Sequence, residues 1–438
     1  MKCLVMDLEF GCGMDLVMRA QDAGHEVRYW LGDTASPVGM GLTDIVEDWK
    51  PSMDWADLIV LTANSNYPPG FEKYFRKGYP IFGATPEAAK LELDRGFGQK
   101  VLERHGIPTL PYEIVSSAEE ALELLVSSGK SYVMKPWGDE ADKALTAVPK
   151  DVNEAIFIVS DWKKKGLFKG QMMMQEKVNG VEIGISSFFG PGGWTLPKEE
   201  SFEHKKFMNG DLGQNTGEQG TVIQHSEKSK LFELLLEPLT DFLHKVKYVG
   251  DAGINCIVDD QGTPWPLEFT MRTGWPDFCI RQSVIEGDPL EWMANLVNGE
   301  DSLDISDDCA VGIVMAHGDY PWENDAQRKW SGFPIAGAPW DDTRNIHWQQ
   351  VMDGRVPRMV GGRVKDVPMM VTAGVCPLVV TGTGRTVREA QKAAYALAKV
   401  IRWPSNVMYR TDIGDRLKDQ LPELHKLGYA KEIQYAGS

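Results

Sequence analysis

Within the first 85 residues of this 438-residue chain, short β-type runs alternate with helical stretches, and no other feature limits the fold as strongly. Lys2-Cys3-Leu4-Val5-Met6 is a β-type run, 14–23 reads as a helix closed by Gly24, and further β-type runs follow at 25–30, 57–61 and 80–83. Strands spaced by helices imply a parallel sheet with right-handed crossovers. Residues 1–85 are therefore expected to form a Rossmann-like α/β domain. The opening MKCLVMDLEF places acids directly after a short apolar run, which predicts a first strand and not a signal peptide.

The pattern then changes. One helix is predicted from about 85 to 105, with Pro86 in its first turn and Gly106-Ile107-Pro108 ending it. A smaller α/β unit follows, with strands at 111–115, 131–135 and 171–177 and helices at 117–128 and 152–164. Further on come a strand at 181–189, a loop-rich stretch to about 222, and a helix at 228–247. Two strands, 253–258 and 263–269, join through Asp259-Asp260-Gln261-Gly262, whose chemistry suits a hairpin. The acidic segment 298–308 reads as a linker. Beyond it a strand-rich region carries a helix at 387–400 and a polar tail after about Gln420. These boundaries give an expected core domain over 86–300, with a small lid at about 111–178, and a C-terminal domain over 301–438.

Composition narrows the function. A net charge of −17 argues against a nucleic-acid or anionic-membrane partner, and no apolar run approaches the roughly 18 residues of a bilayer span. Six scattered cysteines without a C-x-x-C pair suit reduced thiols in a cytoplasm. There is no P-loop, no G-x-S-x-G and no metal-spaced histidine pair, and Gly11-Cys12-Gly13 lacks the third glycine of a dinucleotide fingerprint.

The candidate chemistry lies in four places. In strand 263–269 and its continuation, alternation puts Glu268, Thr270 and Arg272 on one face, where they could hold Mg²⁺ beside phosphate oxygens and clamp an anion. A half-exposed strand with a surface ion pair would look the same. Lys135 and Lys143, eight residues apart across a loop, could grip two phosphates, although any two surface lysines can be so spaced. Gln175, Glu176 and Val178 end a strand that could offer backbone groups to an adenine edge, with Glu182 on the ribose; an ordinary turn is the competing reading. The stretch 203–217, with Glu203, Lys205, Asp211, Asn215, Thr216 and Gly217, mixes charges, amides and glycines as close approach to an anionic substrate requires, or else is a surface loop.

Taken in order, these segments resemble the glycinamide ribonucleotide synthetase family of the ATP-grasp superfamily. IFGATPEAAKLELDRGFGQKVLERHGIPT is similar to the family's entry into the ATP-grasp fold, DLGQNTGEQG to D-x-G-x-N-T-G-G-M-G, and PLEFTMRTGWP to E-[FY]-N-x-R-F-G-D-P. VGGRVKDV, TVREAQKAAYALAKVI and MYRTDIGDR resemble its C-terminal domain. The resemblance implies an ATP-grasp fold between a pre-ATP-grasp parallel sheet and a C-terminal domain. It implies an ATP- and Mg²⁺-dependent ligase that activates a carboxylate as an acyl phosphate and joins it to an amine. Lys135 and Lys143 would hold phosphates, Gln175, Glu176, Val178 and Glu182 the nucleoside, and Glu268 with Thr270 the metal. Arg272, Lys205 and Asn215 would act on the reacting groups, with Glu203, Asp211, Thr216 and Gly217 beside the substrates. The substrates would be small molecules, glycine or another amino acid and an amine, and the protein a cytoplasmic monomer or weak dimer.

The departures bear on substrate and turnover. The family's G-L-A-A-G-K-G loop reads Gly138-Asp139-Glu140-Ala141-Asp142-Lys143-Ala144, and its metal-binding asparagine is Thr270. G-G-R-E-H-A is replaced by Glu9-Phe10-Gly11-Cys12-Gly13-Met14, and P-E-x-P-L by Ala63-Asn64-Ser65-Asn66-Tyr67-Pro68. A relative joining an amino acid to a different amine, or a nucleotide-binding protein without turnover, therefore stands beside phosphoribosylamine–glycine ligation.

Overall fold

Strand Lys2–Asp7 is buried from its second residue onward because Cys3, Leu4, Val5 and Met6 face apolar neighbours on both sides of the sheet. In the computed structural model, which describes residues 1–8, 11–137, 145–322, 329–339, 344–404 and 406–437, it lies at the centre of a five-stranded parallel sheet. Glu26–Leu31 pairs on one side and Leu58–Leu61 on the other, with Asp44–Ile45 and Ile81–Phe82 at the edges. The expected parallel sheet is present. The edge strand Asp44–Ile45 carries no apolar run and was not foreseen.

The second sheet is antiparallel. Its strands run in the order Pro264–Thr270, Gly250–Val258, Val181–Gly190, Lys198–Glu203, Gly220–Ser226, Cys309–Met315, Leu378–Gly384 and Ile346–Trp348. The strands beyond residue 301 thus extend the sheet begun at 181, and Val222 pairs directly with Val311. A long hairpin, Val351–Val360 with Arg363–Ala373, projects beside it and turns through Gly361-Gly362, both at positive φ (58° and 78°). Two successive left-handed residues are what a two-residue hairpin loop requires, so glycines stand there.

The third sheet is small: Tyr112–Val115, Gln171–Glu176 and Tyr132–Trp137, covered by helices Ala118–Ser128 and Val152–Lys165. Ser117 and Asp151 cap those helices by accepting backbone N–H bonds at their first turns. Leu125, Met134, Val159 and Met174 make this unit a core of its own.

Three helical expectations are corrected. The span 85–105 is two helices, Pro86–Leu93 and Arg95–Arg104; Asp94 is extended between them (φ −104°, ψ 97°) and its carboxylate accepts from Phe97 N–H, starting the second helix. The span 228–247 is broken into Lys230–Leu235, the 3₁₀ turn Glu237–Leu239 and Thr240–Lys245, because Pro238 has no N–H and its ring crowds the preceding turn. The expected tail carries helix Leu417–Leu427, with Leu417, Leu421 and Leu424 buried, and Tyr429 and Ile433 join the main core. The polar residues between those leucines conceal an i, i+4, i+7 apolar stripe. Helix Val387–Ala398 forms as predicted and lies close on Gly382, where a Cβ would meet Ala394 N at 2.2 Å.

Candidate active site

The lid sheet, the two helices 86–104 and one face of the antiparallel sheet enclose a cleft of about 310 Å³. Glu268 and Thr270 enter it from the edge strand Pro264–Thr270, as alternation predicts. Asn255 pairs opposite Glu268, just ahead of a register irregularity between Asn255 and Cys256, and it lines the cleft too.

At its centre the Lys205 ammonium lies 2.9 Å from Glu268 Oε1, 3.1 Å from Glu182 Oε1 and 3.1 Å from Glu203 Oε2. Burial opposes charge on Lys205, but Glu268, Glu203 and Glu182 outweigh it and hold the lysine well above its usual range. Lys205, aided by Lys135 and Arg95 against the opposing effect of burial, holds the Glu268 carboxyl down to about 2. Glu268 is therefore ionised at any working pH. The Glu268 side chain is 47% exposed, open to the cleft. Among the described residues no three His, Cys, Asp or Glu side chains are grouped to enclose a metal alone. The donor set instead fits Mg²⁺, which takes one or two carboxylates and completes its octahedron with water and phosphate oxygens.

Lys135, at 7% exposure, points inward from the lid and donates to Gln175 Oε1 at 2.8 Å, so two nucleotide candidates from different strands meet. Burial, then Arg95, lowers the Lys135 ammonium to about 8. Arg95, unforeseen from sequence, lines the cleft and donates to Pro136 O at 3.2 Å. Glu176 alternates outward, where its carboxylate meets Lys130 at 2.7 Å, and Val178 lies in the crossover to Val181–Gly190. Lys143 and the 138–144 loop fall outside the described residues.

Arg272 lines the cleft just past its strand, its Nε donating to Glu92 Oε1 at 3.1 Å. Gly217 and Glu203 line it too. So does Lys205, whereas residues 206–216 do not. Lys206–Met208 and Leu212–Asn215 form a separate two-stranded ribbon with Asn215 exposed, and Asp211 is bound to Arg410 (2.9 Å) and Arg416 (3.4 Å). Thr216 contributes through its hydroxyl, which donates to Lys205 O at 2.9 Å. Arg416 also donates to Glu203 O, so the C-terminal segment braces the strand that carries the acidic cluster.

A second buried cluster escaped sequence reasoning. Arg281, 2% exposed, reaches Glu199 at 2.7 Å and Asp251 at 2.9 Å and also pairs with Asp277. Arg281, Asp251 and Asp277 line the same cleft, and burial ahead of Arg281's opposing charge raises Asp251 to about 6. These residues lie up to 82 positions apart (Glu199 to Arg281) in a helix and two strands, so no local motif announces them.

In the N-terminal sheet, Gly13 N–H donates to Asp7 Oδ2 at 2.7 Å, and Tyr29 OH donates to the same oxygen at 2.5 Å. The start of helix Met14–Asp22 is thus closed by a carboxylate of the chain itself.

A lid sheet facing a larger antiparallel sheet, with lysine above and carboxylate below, defines an ATP-grasp protein. Family models agree: the phosphoribosylglycinamide synthetase ATP-grasp (A) domain matches residues 93–278 and its C domain residues 310–416. The chain belongs to the phosphoribosylglycinamide synthetase family. It is 29% identical over 405 residues to a phosphoribosylamine–glycine ligase of Escherichia coli O157:H7, covering 88% of this chain and 90% of that one. The crystal structure of phosphoribosylamine–glycine ligase from Thermotoga maritima superposes with a TM-score of 0.70 at 22% identity, over 94% of this chain and 100% of that one. The biotin carboxylase domain of Hydrogenobacter thermophilus 2-oxoglutarate carboxylase, solved with MgADP and bicarbonate, gives 0.59 at 13% identity over 98% and 99%.

Proposed function

We infer that the chain is an ATP- and Mg²⁺-dependent carboxylate–amine ligase that joins an amino acid to an amine, as phosphoribosylamine–glycine ligases do. One observation carries the reading: Glu182 and Glu268, from two strands of the larger sheet, meet on Lys205, which lines the cleft with Glu268, while Lys135 reaches from the lid to the carbonyl of Leu267 on the cleft wall (3.4 Å), near enough to feel the charges of Glu268 and Lys205. ATP, when bound, would supply the phosphoryl group that turns the acid's oxygen into a leaving group, and Mg²⁺ would neutralise phosphate charge. The chain's own work is positioning and charge control. Lys135 presents a cation to phosphate oxygens. Glu268, kept ionised by Lys205, presents a carboxylate to the metal. Arg272, its Nε anchored by Glu92, would hold the carboxylate being activated. The lid and sheet together exclude water that would hydrolyse the activated acid. Six free cysteines, five of them buried, suit the reducing cytoplasm in which we place the protein.

A second reading, in which the amine is not a phosphosugar, is favoured by Asp7. The helix start near the family's G-G-R-E-H-A segment already holds a carboxylate, which would repel a phosphate. Both readings are tested by ADP release with glycine and 5-phosphoribosylamine, and with glycine and a panel of other amines. Release only when acid and amine are both present, and its loss in Glu268→Gln at unchanged fold, is expected. ADP release that ignores the acid, or full turnover in Glu268→Gln, contradicts ligation at this site.

A further inference from the structure

The segment from Thr216 to Gln219 is pinned on both sides. Thr216 N–H donates to Lys205 O at 2.8 Å, Gln219 N–H to His204 O at 2.8 Å, and Gln219 Nε2 to Tyr320 OH at 2.9 Å. Between these anchors Glu218 turns into the cleft. Its side chain is 4% exposed, it lines the cavity, and its Oε1 has no hydrogen-bond partner. A buried carboxylate oxygen without a partner is costly, and such a group persists where a ligand completes it.

The surroundings say what charge that ligand carries. Lys205 is already committed to three carboxylates, and so is Arg281. Glu218 adds a further acid to the same cleft; burial, followed by Glu203 and Asp277, pushes its carboxyl well above the ordinary range, so that it keeps its proton until a cationic ligand takes the proton's place. Trp275 lines the same wall, and a Cβ at Gly217 would lie 3.9 Å from its ring. A carboxylate beside an aromatic surface suits an organic ammonium.

Two nitrogens take part in the ligation proposed above, on which this inference rests. The attacking amine must be uncharged, and an anion against it would hold its proton in place. The α-ammonium of the acid substrate takes no part in bond making and stays charged throughout. We propose that Glu218 is the seat of that α-ammonium and the residue that selects an amino acid over the same acid without its amino group.

The test is calorimetric titration of the full chain, loaded with Mg²⁺ and a non-hydrolysable ATP analogue, with glycine and separately with acetate. Wild type is expected to bind glycine at least about tenfold more tightly than acetate. Glu218→Gln should lose roughly that factor for glycine while its affinities for acetate and for the nucleotide analogue stay unchanged, and Glu218→Asp should recover part of it. Retained nucleotide affinity serves as the check on folding, and Glu218→Ala replaces the glutamine variant if that check fails. Equal glycine affinity in wild type and variant, or no preference of wild type for glycine over acetate, overturns the assignment. So does a variant that loses Mg²⁺ affinity and keeps its glycine preference, since Glu218 would then serve the metal. ADP release is measured apart from this and bears only on ligation.

Discussion

Lys205 in the cleft and Lys135 in the lid beside it are shifted in opposite directions. Three carboxylates keep Lys205 charged, whereas burial and Arg95 bring Lys135 to about 8. Lys135 can pair with phosphate only when protonated, so nucleotide affinity should be full below pH 8 and fall as pH rises through it. Between pH 7 and 9 the dissociation constant of an ATP analogue is expected to rise about tenfold, and calorimetry at the two pH values measures it. Lys135→Arg should flatten the dependence, because a guanidinium stays charged. At this scale the sequence was informative wherever side-chain direction follows from strand alternation. Glu268 and Thr270 were legible for that reason. Arg281 and Glu218 were not, because the meaning of each comes from charged neighbours (199, 251 and 277 for Arg281, 203 and 277 for Glu218) that only the fold brings near.

Among the elements, helix Arg95–Arg104 and the lid make a close contact that bears on the site. A Cβ at Gly96 would fall 2.6 Å from the Trp137 ring, at the end of lid strand Tyr132–Trp137 that also carries Lys135. Gly96→Val must therefore push strand or helix aside. We expect ATP-analogue binding to weaken by roughly tenfold with little loss of secondary structure, read by titration and circular dichroism. The break at Asp94 that sets up this contact was missed in sequence because Leu93, Phe97 and Val101 keep a helical apolar spacing across it, despite Gly96 and Gly98. The aspartate's preference for capping outweighed it. Pro238 is the plainer case, since a proline in a helical run is a local signal.

For the whole molecule, the decisive fact is that strands from beyond residue 301 continue the sheet that holds the cleft. Removing residues 301–438 would strip the partner from Gly220–Ser226, whose seven residues are all buried, and release Asp211 from Arg410 and Arg416. A truncated 1–300 chain is expected to aggregate or unfold and to release no ADP, and the intact chain to unfold without a separate early transition from its C-terminal third. Differential scanning calorimetry of both distinguishes this from independent units. The sequence announced a strand-rich region here but neither the bounds of its strands nor their sheet, because pairing between residues about ninety positions apart leaves no local trace.

The brace from Arg416 to the Glu203 carbonyl has a temporal side. During synthesis the acidic cluster around Lys205 is complete once Glu268 has emerged, but its supporting arginines arrive almost 150 residues afterwards. A chain still attached to the ribosome would hold its nucleotide seat unbraced, so the enzyme should switch on at release and not before.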